Sequence, residues 1–143
     1  MVKITVYPQK LYDRMIKNEK YSPEDFFLSI VHHSITEEDL PSKPNSLNHL
    51  MLKFDDVVMD ILENKAITKK QADIIVEFAK SIKDDSTLHI HCGAGVSRST
   101  ASSKAIQEIL NDRKISSTEK RLGDSYHPNP TVYNLIMESY GTV

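Results

Sequence analysis

The chain has little of several features on which whole classes of protein depend. Its 143 residues include one cysteine and no tryptophan. A single cysteine excludes an internal disulfide, and a lone reduced thiol is typical of the cytoplasm. No apolar run approaches the length of a membrane span, and the N-terminal residues lack the apolar core of a signal peptide. We therefore expect a cytoplasmic protein without membrane attachment.

Metal-binding patterns and an excess of charge are also missing. No group of cysteine and histidine has zinc-ligand spacing, and His32 and His33 are adjacent rather than on one helix face, so we expect no metal. The formal net charge is −2, which gives no support for nonspecific binding to nucleic acid or to anionic membranes. Hydrophobic residues make up 39% of the chain and charged residues 27%, as in ordinary globular proteins. The length suits one domain, spanning residues 1–143.

Apolar patterning predicts strands that alternate with helices. We predict strands at residues 2–7, 26–31, 48–54 and 87–91, and helices at 9–17, 55–62, 68–82, 99–111 and 130–140. The segments 32–46 and 112–127 are predicted as polar connections. This order favours an α/β fold with a central, largely parallel sheet of about four to five strands flanked by helices. Ligands of such sheets bind beyond the carboxyl ends of the strands.

The strongest chemical pattern is the run His-Cys-Gly-Ala-Gly-Val-Ser-Arg-Ser at residues 91–99. It follows a predicted strand and opens a predicted helix. Unpaired amides of a glycine-bearing turn and of a first helical turn form a cradle for an oxyanion. These donors stabilise the thiolate form of Cys92, and the Arg98 guanidinium can bind two oxygens of a phosphate at once. The sequence therefore predicts a nucleophile and a phosphate-binding group in one loop.

The pattern His-Cys-x5-Arg-Ser resembles the signature of the cysteine-based protein tyrosine phosphatases, and the chain is similar to their small dual-specificity branch. The resemblance extends from about residue 48 to the C-terminus, whereas the first 47 residues show no motif. It implies a single phosphatase domain that hydrolyses phosphomonoesters through a phosphocysteine intermediate, without a cofactor. The implied substrate is a phosphorylated protein carrying phosphotyrosine, with phosphoserine and phosphothreonine also admitted if the cleft is shallow.

The resemblance also implies a role for each matching residue. Cys92 would attack phosphorus, and Ser99 would help the thiolate to leave when the intermediate is hydrolysed. Phosphate oxygens would be bound by Arg98 and by the amides of the loop, Gly93, Ala94, Gly95, Val96 and Ser97. His91 would order the loop by hydrogen bonds. The Asn129 side chain would brace the loop, although an asparagine before Pro130 is also a good helix cap in any protein.

The general acid must come from another segment. In the family it is an aspartate shortly after an earlier strand, and Asp55 and Asp56 follow the apolar run at residues 50–54. The resemblance favours Asp56, with Asp55 as the alternative, while a helix-capping role is open for both. The acid would protonate the leaving oxygen and then take a proton from water.

Departures from the family pattern narrow the substrate. The loop interior has no lysine or second arginine, which disfavours highly phosphorylated inositol lipids, and without tryptophan there is no acid loop of the Trp-Pro-Asp type. Two other functions stay open. One is a phosphatase acting on RNA 5′ ends or nucleotides, against which the neutral loop argues. The other is a catalytically silent phosphate-binding module, against which intact Cys92, Arg98 and the aspartate pair argue. Nucleic acid and membrane are thus not the expected partners.

Overall fold

A computed structural model describes residues 1–141 and shows a parallel sheet between two layers of helix. Within this range the strands are β1 (Val2–Pro8), β2 (Phe26–Val31), β3 (His49–Lys53), β4 (Thr87–Cys92) and β5 (Ser117–Arg121). The helices are α1 (Gln9–Lys17), α2 (Lys69–Ser81), α3 (Arg98–Asp112) and α4 (Pro130–Tyr140), with a 3₁₀ turn at Glu37–Asp39. All strands are parallel, in the order β3-β2-β4-β1-β5. The predicted fold class is confirmed.

The two faces of the sheet pack against different layers because side chains alternate along each strand. On β4, Leu88, Ile90 and Cys92 belong to the main aliphatic core, which α2, α3 and α4 complete. The side chains between them, His89 and His91, lie on the other face with α1, in a smaller layer of aromatic rings. The last residue of β4 is therefore held by the larger core.

Helix starts follow the local signals in the sequence. The Thr68 hydroxyl accepts the Gln71 amide at 3.1 Å, and the Gln71 side chain accepts the Thr68 amide at 2.9 Å, which is a complete capping box for α2. Asn129 Oδ1 accepts the amides of Thr131 and Val132 at the start of α4. Among residues 1–141, no helix has the length and apolar character needed to span a membrane.

The helix predicted at residues 55–62 is wrong. This stretch is an irregular loop, closed by a bridge between Ile61 and Asn64. Its apolar side chains have no core to pack against, since Val58 is 52% and Leu62 93% exposed, and short helices need such packing. The Asp55 carboxylate, which resembled a helix cap, accepts amides from other segments instead.

The prediction of residues 112–127 as a plain connection is also wrong. It contains β5, an edge strand that pairs with β1 from Val2↔Ser117 to Val6↔Arg121. The strand has no buried residue, so it carries none of the apolar alternation by which a strand is recognised in sequence. Backbone pairing at the sheet edge forms it.

Candidate active site

The segment at residues 93–97 leaves the sheet at the carboxyl end of β4 and leads into α3. Gly95 has φ +72°, and a Cβ there would lie 2.6 Å from the Pro8 nitrogen. The Gln9 amide donates to the Gly93 carbonyl at 2.9 Å. The loop is thus packed onto the end of β1 at a distance that only glycine permits.

A glycine that the sequence analysis missed supports the loop from its other side. A Cβ on Gly123 would lie 2.5 Å from the Gly95 carbonyl oxygen, so this contact also requires glycine. The His127 amide donates to the Val96 carbonyl at 3.0 Å. Nothing in the sequence links Gly123 to the loop, because the contact depends on how β5 and the segment after it return to the sheet.

The loop retains hydrogen-bond donors without protein acceptors. Within residues 1–141, the amides of residues 94–97 donate to no other protein group. Arg98 Nη1 donates to the Phe54 carbonyl at 2.8 Å, whereas its Nε is buried and has no partner in the described part of the chain. Buried donors are normally satisfied. A guanidinium nitrogen and adjacent amides that lack acceptors among the described residues can bind an oxyanion.

Cys92 ends β4 and is 2% exposed. Its Sγ lies 3.0 Å from the hydroxyl of Ser99, which is fully buried in the first turn of α3. Packing therefore holds this pair of atoms. A hydroxyl at this distance can donate to a thiolate.

Asp56 lies beside the loop and is exposed. Its Oδ1 accepts the Ser97 hydroxyl at 2.7 Å and the Asn129 side-chain amide at 2.9 Å. Asn129 also donates its main-chain amide to the Ser97 carbonyl at 3.1 Å. Its side chain thus caps α4 and reaches Asp56, and it is the main chain of Asn129 that contacts the loop.

In contrast to the exposed Asp56, Asp55 is buried, with 2% of its surface exposed. Its carboxylate accepts the His33 amide at 2.9 Å, the His33 Nδ1 at 2.6 Å and the Lys65 amide at 2.6 Å. Burial alone would raise the pKa of Asp55, but these hydrogen bonds and the neighbouring His32 ring outweigh it, so the pKa is lowered. Asp55 is therefore an enclosed carboxylate, and the histidines that contact it were not predicted as site residues.

His32, His33 and Asp55 place potential metal ligands within 4.8 Å of one another, a grouping that the sequence analysis did not expect. The hydrogen bonds around His32 favour a different reading. The Ser34 amide and the Ser34 hydroxyl contact His32 Nδ1 at 3.2 and 2.8 Å, and His32 Nε2 lies 3.1 Å from Asp55 Oδ1, so both ring nitrogens have partners within the protein. We interpret the group as a hydrogen-bonded cluster.

His91 is fully buried on the α1 face of β4. Its ring lies against Tyr12, with 3.9 Å between ring centroids, and neither ring nitrogen has a hydrogen-bond partner within residues 1–141. Burial lowers the pKa of His91 to about 3, so the ring is neutral near pH 7. His91 thus contacts Tyr12 through ring packing, and its role in ordering the loop stays a prediction.

Comparisons of the chain with protein-family models, with curated proteins and with solved structures found no match.

Proposed function

We propose that the protein is a phosphomonoester hydrolase that acts on phosphorylated protein side chains through a phosphocysteine intermediate. One observation carries the proposal: the Cys92 sulfur, 3.0 Å from the Ser99 hydroxyl, adjoins a loop in which the amides of residues 94–97 and Arg98 Nε have no acceptor among residues 1–141. A nucleophile next to unsatisfied donors is what phosphoryl transfer to sulfur requires.

In the first step, the Cys92 thiolate attacks phosphorus, and the S–P bond forms as the bond to the leaving oxygen breaks. The loop amides and the Arg98 guanidinium bind the equatorial oxygens. Asp56 gives its proton to the leaving oxygen, which departs as a phenol or an alcohol. The exposed position of Asp56, fixed by Ser97 and Asn129, supports this role.

In the second step, water attacks the phosphocysteine and the S–P bond breaks. The Asp56 carboxylate takes a proton from the water, and the Ser99 hydroxyl donates to the departing thiolate. Inorganic phosphate is released and the enzyme returns to its starting state. The site opens at an exposed edge, where Gly93 and Ala94 are accessible, so a phosphorylated side chain of a protein can reach it. Phosphotyrosine is the substrate we propose, with phosphoserine and phosphothreonine also accepted.

The test compares the wild-type protein with Cys92→Ser on para-nitrophenyl phosphate, a phosphotyrosine peptide, 5′-phosphorylated RNA and nucleotides. We expect vanadate-sensitive turnover by the wild type, with the peptide preferred to RNA and nucleotides. Cys92→Ser should be inactive yet still bind the phosphopeptide, because the amides and Arg98 are unchanged. Turnover by the serine variant would refute the nucleophile assignment. A wild type that binds phosphate without turnover would indicate a binding module, and a preference for RNA or nucleotides would reject the protein substrate.

A further inference from the structure

The structure assigns a positioning role to Asp55 and His33, whose hydrogen bonds fasten the base of the loop that carries Asp56. This loop comprises residues 56–64 and is called the 56–64 loop below. The inference rests on the proposed function, because it concerns how the acid of that reaction is held in place.

The two ends of the 56–64 loop are joined by a pair of hydrogen bonds. The Asp55 amide donates to the Lys65 carbonyl at 2.7 Å, and the Lys65 amide donates to Asp55 Oδ2 at 2.6 Å. Asp55 is buried, whereas Val58 and Leu62 in the loop are exposed. Packing therefore does little to fix the 56–64 loop. The two hydrogen bonds between Asp55 and Lys65 are a main determinant of the position from which the loop leaves the sheet.

The base is also tied to the neighbouring strand. His33 follows β2, and it contacts both oxygens of Asp55, Oδ1 through its amide and Oδ2 through Nδ1. Because β2 pairs directly with β4, this link connects the start of the loop to the strand that ends at Cys92. On the same side, the Phe54 carbonyl accepts Arg98 Nη1. The backbone just before Asp56 is thus located relative to both the nucleophile and the phosphate-binding arginine.

The contacts at the far side of Asp56 come from α4. Asn129 Nδ2 donates to the Val57 carbonyl at 3.2 Å, and the Thr131 hydroxyl donates to the Val58 carbonyl at 2.9 Å. The backbone on the two sides of Asp56 is therefore attached at Asp55 and at α4, while its carboxylate accepts Ser97 and Asn129. A proton donor must lie within hydrogen-bond reach of the leaving oxygen, and a displacement of about 1 Å costs about 100-fold in rate. Release of the Asp55 attachment should therefore impair proton donation.

The experiment measures how the rate depends on the leaving group. Asparagine at position 55 keeps only one acceptor oxygen, so Asp55→Asn loses at least one of the three hydrogen bonds. We expect turnover of alkyl and phenyl phosphates to fall by about 10- to 100-fold, whereas activated aryl phosphates, which need no acid, are little affected. Asp56→Asn should show the same dependence on the leaving group, with a larger loss of turnover on alkyl and phenyl phosphates. The double variant should be no slower than Asp56→Asn alone, because both substitutions act through one proton.

A matched control exists at the opposite end of β2. Asp25 also accepts a histidine and a backbone amide, from His89 Nε2 at 2.9 Å and from Ser22 at 3.1 Å. Asp25→Asn should lower thermal stability and leave the leaving-group dependence at its wild-type value. This control separates a loss of fold stability from a loss of positioning.

A second pair of variants leaves Asp55 intact and therefore serves if Asp55→Asn does not fold. His33→Asn retains an N–H donor near the position of Nδ1, whereas His33→Leu removes it. We expect His33→Leu to reproduce the leaving-group dependence of Asp55→Asn, and His33→Asn to restore the wild-type dependence.

Equal losses on all substrates in Asp55→Asn, or losses that multiply with those of Asp56→Asn, would overturn the positioning role. So would a wild-type leaving-group dependence in His33→Leu. These outcomes leave the phosphatase assignment intact. Absence of turnover in the wild-type protein rejects the proposed function itself, so the two failures are distinguishable.

Discussion

The adjacent carboxylates of Asp55 and Asp56 differ in solvent exposure and in their hydrogen-bond partners. Asp56 is exposed and accepts two side-chain donors on one oxygen. Asp55 is enclosed, and its charged form is favoured by hydrogen bonds at both oxygens. A group held firmly in its ionised form is a poor proton donor, so the surroundings, rather than the residue type, favour Asp56 over Asp55 as the proposed acid.

At the scale of single residues, Ser99 offers a test of the second chemical step. Ser99→Ala removes the hydroxyl that lies 3.0 Å from the Cys92 sulfur. We expect hydrolysis of the phosphocysteine to slow by about 10- to 100-fold, because the departing thiolate loses a donor, while its formation is less affected. The intermediate should then accumulate and produce a burst of nitrophenol in stopped-flow measurements.

Another serine of α3 provides the control for this prediction. Ser103 is also buried, but its hydroxyl donates to Glu119. Ser103→Ala should change stability without producing a burst. Equal effects of Ser99→Ala on both chemical steps would contradict a role in thiolate departure.

At the scale of elements, local signals explain what could be predicted from the sequence. The capping box at Thr68 lies within one turn of the helix it starts, and the 91–99 run includes its own strand end and helix start. The contacts of Asp55 come from His33 and Lys65, 22 and 10 residues away. An aspartate in such a place looks like a helix cap until its partners are known, which is why the predicted helix at 55–62 was wrong.

The residues that support the loop at 93–97 were missed in the sequence for a related reason. β5 has no buried residue, and Gly123 is one glycine in a polar stretch. Their importance depends on tertiary contacts, since Gly123 packs against Gly95 of that loop. Contacts between segments far apart in the chain leave no periodic pattern in a single sequence.

The end of α3 allows a test at the element scale that is independent of catalysis. The Lys114 amide donates to the Asn111 carbonyl at 3.0 Å and the Ile115 amide to the Leu110 carbonyl at 2.9 Å, the arrangement of a Schellman motif. Lys114 has φ +65°, a left-handed conformation that glycine adopts without strain. Lys114→Gly should therefore raise the free energy of unfolding by about 0.5–1 kcal/mol in urea denaturation. Lys114→Ala keeps the strain, and equal stability of the two variants would contradict this explanation.

At the scale of the whole molecule, the two faces of the sheet differ in their titratable side chains. The larger core on the α2, α3 and α4 side is mainly aliphatic and contains no histidine among the described residues. The α1 side contains His49, His89 and His91, and burial lowers the pKa of all three. His89 lies between the Tyr7 hydroxyl and Asp25, at 2.7 and 2.9 Å, and so needs no charge to be satisfied. The environment of this layer therefore favours the neutral form of the imidazole rings.

The α1 face should therefore make the protein less stable as the pH falls. In the unfolded chain His91 takes up a proton near its ordinary pKa of 6.5, whereas in the folded protein its pKa is about 3. Between these values the unfolded state binds more protons, so the free energy of unfolding decreases with falling pH, by up to about 1.4 kcal/mol per pH unit for one histidine. Above the unfolded pKa this contribution is fully present.

Urea denaturation at about pH 7.5 and about pH 5 measures this slope. His91→Phe retains a ring against Tyr12 and removes the titrating group, so it should flatten the dependence of stability on pH. Tyr12→Phe, which alters the partner ring without a group that titrates in this range, should leave the slope unchanged because burial raises the pKa of Tyr12 well above it. A wild-type slope in His91→Phe would mean that acid acts through groups other than His91.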